Sequence, residues 1–289
     1  PASCYLSMVL AAARSALGPG TVVIENAAFP EALLLEDGDA RTVQLALSPG
    51  QGGPGSFRLA SAPADGEDSP WTTHAAGEVR IEGPPAFPAI DVGALAARLP
   101  EVLDGGFLYE LARRGGLLLG EEFRWMEELR RGPGEALCRL RVGDGVEYGL
   151  HPGLLDSTFQ ALGFTQPDPD AAFEVRIPVG LDRLAWSGPA GGACWCWTSV
   201  ERRATRAVGR IRLLDSVGAT LLAVDGLVLL PAPRESLLAA VRRGPPFHHV
   251  EWRRVPDRRA RAVAATPRPW IVAGDRSGIA PLLASETMR

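Results

Sequence analysis

The feature that most constrains this chain is an order of elements that occurs twice. An apolar helical stretch is followed by a run of short strand-like segments, and the same order then returns. The first helix candidate is residues 4–16 (CYLSMVLAAARSA), rich in Ala and Leu and stopped by Gly18-Pro19-Gly20. Strand-like runs come next at Thr21–Glu25, Ala32–Leu35, Arg41–Leu47, Ser56–Ala60 and Trp71–Ile81. The second helix candidate is 152–163, with Leu154, Leu155, Phe159 and Leu162 at three- and four-residue spacings. Strands are expected after it at Glu174–Ile177, Leu184–Trp186, Cys194–Glu201, Ala207–Leu214 and Thr220–Leu230. The halves share a local pattern, since Gly20–Pro30 plus ALLL echoes Phe173–Val179 plus LDRLAW.

A helix that alternated with single strands would imply a parallel sheet. A helix succeeded by a run of strands implies an α+β fold in which an antiparallel sheet wraps the helix. That is the hotdog arrangement, and two in tandem make a double hotdog. Residues 83–98 (GPPAFPAIDVGALAAR) read as a linker. Short helical or turn-like pieces are expected at 106–114 and 121–130 around Gly115-Gly116, and a strand at Ala136–Val142. The character changes after Pro231: a short helix and linker precede an Arg-rich loop, and Trp270–Gly274 (WIVAG) resembles a buried parallel strand. The expected division is an N-terminal hotdog at 1–92, a C-terminal hotdog at 93–233, and a linker with the start of another domain at 234–289.

The chemistry concentrates in residues 148–163, YGLHPGLLDSTFQALG. Pro152 suits the first turn of a helix. Asp156 lies one turn from both Pro152 and Gln160, so the three share a stripe. A carboxylate on so apolar a helix is costly to bury without a purpose.

Composition excludes little but does so clearly. A net charge of −4 gives no global reason to expect nucleic acid or an anionic membrane as partner. All 30 basic residues are Arg, and those between Arg253 and Arg261 are mixed with Asp and lack a stacking aromatic set. No stretch is long and apolar enough to span a bilayer, and no signal peptide is evident. A cytoplasmic location is therefore expected. Cys194 and Cys196 flank Trp195, but no second Cys or His pair completes a zinc site, so core thiols are the simpler reading. The chain begins at Pro1 without Met and ends inside an apolar pattern, as expected of a piece of something longer.

The stretch Tyr148-Gly-Leu-His-Pro-Gly-Leu-Leu-Asp156 with Gln160 resembles the HPxxxD-(x)3-Q motif of dehydratase domains from modular polyketide synthases. Three further resemblances are collinear. Pro1-Ala-Ser-Cys-Tyr-Leu resembles the end of HxxxGxxxxP and the residues next to it; Trp71-Thr-Thr-His-Ala-Ala-Gly resembles W-x-x-H-A-x-G; and Gly120 to Phe123 falls where the family has YGPxF. The resemblance covers roughly residues 1–233, and the end from about Val250 is similar to the start of a ketoreductase structural subdomain.

The resemblance implies elimination of water from a 3-hydroxyacyl thioester carried on the phosphopantetheine arm of an acyl carrier protein. It implies no cofactor bound by the domain itself. Asp156 is the implied general acid, and Gln160, Tyr148, Leu150, Pro152, Gly120 and Phe123 are the implied substrate-binding set. A carboxylic acid in that role must be kept protonated by apolar surroundings. The family's general base, a His nine positions before the Pro of HxxxGxxxxP, falls upstream of Pro1. The YGPxF site departs from the pattern, reading Leu119-Gly-Glu-Glu-Phe123. Implied partners are the carrier protein, adjacent ketoreductase and other synthase domains, and a second copy in a homodimer. Two alternatives accompany this reading: double-bond isomerisation or oxygen-ring closure at the same site, and a non-catalytic scaffold lacking the His.

Overall fold

The structure is a computed structural model and describes residues 1–35, 39–50, 53–64, 70–84, 87–141, 149–165, 175–189, 193–203 and 206–232. Residues 1–233 form one compact unit. Tyr148 and the expected linker and ketoreductase start from 234 onward lie outside the described residues.

In chain order the elements are α1 (Ala2–Leu17), β1 (Thr21–Ala28), β2 (Arg41–Ser48), β3 (Gly55–Pro63), β4 (Thr72–Glu82), α2 (Val92–Arg98), β5 (Glu101–Asp104) and α3 (Gly105–Arg114). A 3-10 turn at Glu121–Phe123 comes next, then β6 (Met126–Gly132), β7 (Glu135–Leu140), α4 (Pro152–Gly163), β8 (Arg176–Trp186), β9 (Ala193–Arg203), β10 (Arg206–Asp215) and β11 (Thr220–Pro231). The strands make one antiparallel sheet of 11 in the order β2-β3-β4-β1-β8-β11-β10-β9-β7-β6-β5. The halves meet where β1 pairs with β8, with Val22 opposite Trp186 and Ile24 opposite Leu184.

The sheet buries its inner face against α1 and α4, which also pack on each other. Leu6, Val9, Leu10 and Ala13 of α1 and Leu155, Ala161 and Leu162 of α4 are almost wholly buried with Ile24, Leu59, Leu184 and Leu222 from the strands. Each fully buried Leu or Ile stabilises by about 1.5–3 kcal/mol. This is the double hotdog arrangement.

Four local expectations are corrected. Ala32–Leu35 is not a strand; Leu33 packs partly against the core and its N–H donates to the Tyr5 hydroxyl at 3.0 Å, an alternative use of the backbone donor. The echo between the halves therefore stops at the strands β1 and β8. The expected linker 83–98 contains α2, whose first turn is capped by Asp91 accepting from Ala94 N–H at 2.9 Å. Residues 126–132 form a strand although Glu, Leu and Arg favour helix, because β5 and β7 pair on either side. Arg176 and Ile177 of one expected strand and Leu184–Trp186 of another are joined in one long β8, while Glu174 lies outside the described residues.

Candidate active site

Asp156 sits in the middle of α4, half-buried, on the side that meets α1. Two donors hold its carboxylate. The Gln160 Nε2 group donates to Oδ2 at 2.7 Å, and the Ser3 hydroxyl donates to Oδ1 at 2.8 Å across 153 positions of sequence. The first contact results from one helical turn of spacing. The second exists because α1 and α4 pack against each other.

Helix α4 starts with Pro152 in its first turn and His151 as its N-cap. The His151 Nδ1 accepts the Gly153 N–H at 3.1 Å, a role more often filled by Ser, Thr, Asp or Asn. Burial is the main reason that the His151 pKa lies below its ordinary value; Glu122 opposes the shift and Arg141 adds to it. The ring lies against Trp125.

The 3-10 turn forms the wall beside Asp156. The Phe123 carbonyl accepts from Gln160 Nε2 at 3.2 Å and from the Ser157 hydroxyl at 3.3 Å. Ser157 also accepts the Trp125 N–H at 3.3 Å, and the Trp125 indole N–H donates to the Glu122 carbonyl at 2.8 Å. A Cβ on Gly153 would meet that same Glu122 carbonyl at 1.7 Å, so helix and turn touch backbone to backbone. Tyr109 of α3 anchors the far side, its hydroxyl accepting the Met126 N–H at 2.8 Å, and burial pushes its pKa up to about 12.

The structure thus brings together Asp156, Gln160 and, through its carbonyl, Phe123. Pro152 lies one turn before Asp156. Gly120 is exposed and its carbonyl accepts the Phe123 N–H at 3.0 Å, which shapes the turn. Leu150 is only 1% exposed and belongs to the core, so it packs the fold and offers no surface to a ligand. The expected apolar setting of Asp156 is partly replaced by its two hydrogen-bond donors. His74 is buried and satisfied, with Nε2 2.7 Å from Ser61 Oγ and Nδ1 3.0 Å from the Glu31 carbonyl oxygen. Ser3 escapes a reading of the sequence, because α1 also carries Ser7 and Ser15 and nothing local sets the Ser3 hydroxyl apart.

Among the described residues no cluster of three or more His, Cys, Asp or Glu could hold a metal, and no helix is long and apolar enough to cross a membrane.

The family profile described as "Polyketide synthase dehydratase domain" matches residues 1–62, and that described as "Polyketide synthase dehydratase N-terminal domain" matches 89–239, more than half of the chain. Polyketide synthase GfsA from Streptomyces halstedii is 28% identical over 270 residues, covering 88% of this chain and 3% of that protein. The chain therefore spans a small part of the curated relative's length. The CurJ dehydratase, solved as an inactive mutant with Phe in place of a His and in complex with a compound, superposes with a TM-score of 0.75 at 27% identity, covering 82% of this chain and 84% of that one. The CurK dehydratase, solved as an inactive mutant with Asn in place of an Asp, gives 0.70 at 25% identity, covering 82% and 84%. These matches support dehydration and lend nothing to the isomerase, cyclase or scaffold alternatives. The chain belongs to the polyketide synthase dehydratase family and is a dehydratase domain of double hotdog fold.

Proposed function

We propose that this domain eliminates water from a 3-hydroxyacyl thioester carried on the phosphopantetheine of an acyl carrier protein, with Asp156 as general acid. A base removes a proton from C2, and charge develops on the thioester oxygen. Asp156 gives its proton to the departing 3-hydroxyl, which leaves as water, and the C2–C3 bond becomes double. Hydroxide is a poor leaving group, so the elimination needs that proton. The family pattern HxxxGxxxxP implies a His as that base, and Asp156 lies beside the first turn of α1, the helix next to the Pro of that pattern.

The observation that carries the reading is a carboxyl group fixed on both oxygens, by Gln160 and Ser3, where the two helices meet. The CurK variant with Asn in place of an Asp, described as inactive, supports a carboxylate role of this kind. The test is Asp156→Asn in the full synthase chain, with mass spectrometry of the acyl carrier as readout. Dehydration is expected to fall by roughly 10²–10⁴ with the 3-hydroxyacyl form accumulating. Undiminished enoyl product would remove Asp156 from the mechanism.

A further inference from the structure

The geometry points to Ser3 as a positioning residue for the reaction: its hydroxyl holds Asp156 Oδ1, the oxygen that carries the transferred proton. This rests on the proposal that Asp156 is the general acid. Gln160 decides which oxygen that is. Its Nε2 lies 3.2 Å from the Phe123 carbonyl oxygen and 2.7 Å from Asp156 Oδ2. A backbone carbonyl can only accept, so the nitrogen must face this side, and it presents an N–H to Oδ2 as well. The Gln160 Oε1 is buried without a partner among the described residues, so it draws the amide into no competing orientation. An oxygen faced by an obligate donor is a poor place for a proton. The proton of the acid form therefore belongs on Oδ1.

Oδ1 is 2.8 Å from the Ser3 hydroxyl, and Ser3 has no exposed surface. A hydroxyl both donates and accepts. It accepts from Oδ1–H in the substrate-free acid form; when Oδ1–H turns to the leaving hydroxyl, and after that proton has gone, it donates to the other lone pair of Oδ1. The contact survives both protonation states by rotation about one bond, without moving a heavy atom. A group restricted to donating would oppose the acid form, and one restricted to accepting would oppose the carboxylate. Ser3 lies on α1 and Asp156 on α4, so this bond ties the two central helices together at the reacting atom.

The test compares Ser3→Ala and Ser3→Cys with wild type and Asp156→Asn in the full synthase chain, using a 3-hydroxyacyl pantetheine thioester as probe. Both Ser3 variants are expected to lower kcat roughly 10- to 100-fold through a misplaced acid, with KM unchanged and the thermal midpoint preserved. Cys matches Ser in shape and is a weak hydrogen-bonding group, so a slow Ser3→Cys isolates the hydroxyl from packing. Wild-type kcat in either variant beside an inactive Asp156→Asn would overturn the role of Ser3 and leave the acid assignment standing. A loss confined to KM, or matched by loss of folded protein, would overturn it equally. An active Asp156→Asn would remove the acid reading itself, and the role of Ser3 with it.

Discussion

The His151 ring packs tilted against Trp125 with centroids 5.0 Å apart while its Nδ1 caps the helix that carries Asp156. An Nδ1 that accepts a hydrogen bond must be unprotonated, so this cap is available only to the neutral imidazole. The folded-state pKa is lowered, chiefly by burial. The folded protein thus resists a proton that the unfolded chain accepts at its ordinary value near ~6.5. Stability is full above that value and is lost as pH falls from it through the lowered folded value. His151→Asn keeps a capping side chain and cannot titrate. Denaturant melts at several pH values are expected to show a decline as pH falls below about 6.5 in wild type that the variant lacks; equal slopes would contradict the cap.

Gly153→Ala is expected to damage both stability and catalysis. The added methyl meets the Glu122 carbonyl, which already accepts the Trp125 indole N–H. Helix or turn must shift, at about 1–3 kcal/mol. The displaced turn carries the Phe123 carbonyl that holds Gln160, so kcat is expected to fall more than the fraction folded. A urea midpoint measured beside the turnover number separates the two effects.

An ion network crosses the seam between the halves. Arg80 on β4 bonds Glu25 on β1, and Arg183 on β8 bonds both Glu25 at 3.0 Å and Glu82 at 2.8 Å. The Arg80 guanidinium holds Glu25 below the usual carboxylate range, and Arg183 does the same for Glu82. Lowered carboxylates stabilise above their unfolded pKa, and that contribution is lost as pH falls through the folded values. Arg183→Met is expected to cost about 1 kcal/mol near pH 7 and ~0.1 M salt, and much less near pH 3. A difference that persists unchanged in acid would show a packing effect instead.

Cys138 and Cys196 face each other across β7 and β9, both wholly buried. Burial pushes both thiols above their ordinary range, so neither offers a thiolate. Cys4 is half-buried beside Asp156. Alkylation of the native protein, with peptide mass spectrometry as readout, is expected to label Cys4 well before either strand cysteine. Early labelling of Cys138 or Cys196 would mean that the sheet opens there.

The two central helices are legible because apolar spacing and flanking Gly or Pro mark them without reference to the rest of the fold. The Asp156–Gln160 contact is legible for the same reason, being one turn of one helix. Met126–Gly132 is not, since its Glu, Leu and Arg residues favour helix and only pairing with β5 and β7 makes it a strand. Val92–Arg98 hides behind a Pro-rich approach, its cap being Asp91. Ala32–Leu35 has the composition of a strand but spends a backbone N–H on Tyr5. Ser3 is invisible locally because its partner is 153 residues away and depends on how two helices cross.

The pairing of β1 with β8 makes the sheet continuous through its middle. Neither half owns an edge there, so neither can open without exposing the other's hydrogen bonds. Cleavage of the covalent connection near residues 83–91 would leave two fragments still laced together by that ladder. The two halves thus share one uninterrupted sheet, and the strands that join them lie outside the contact between Ser3 and Asp156.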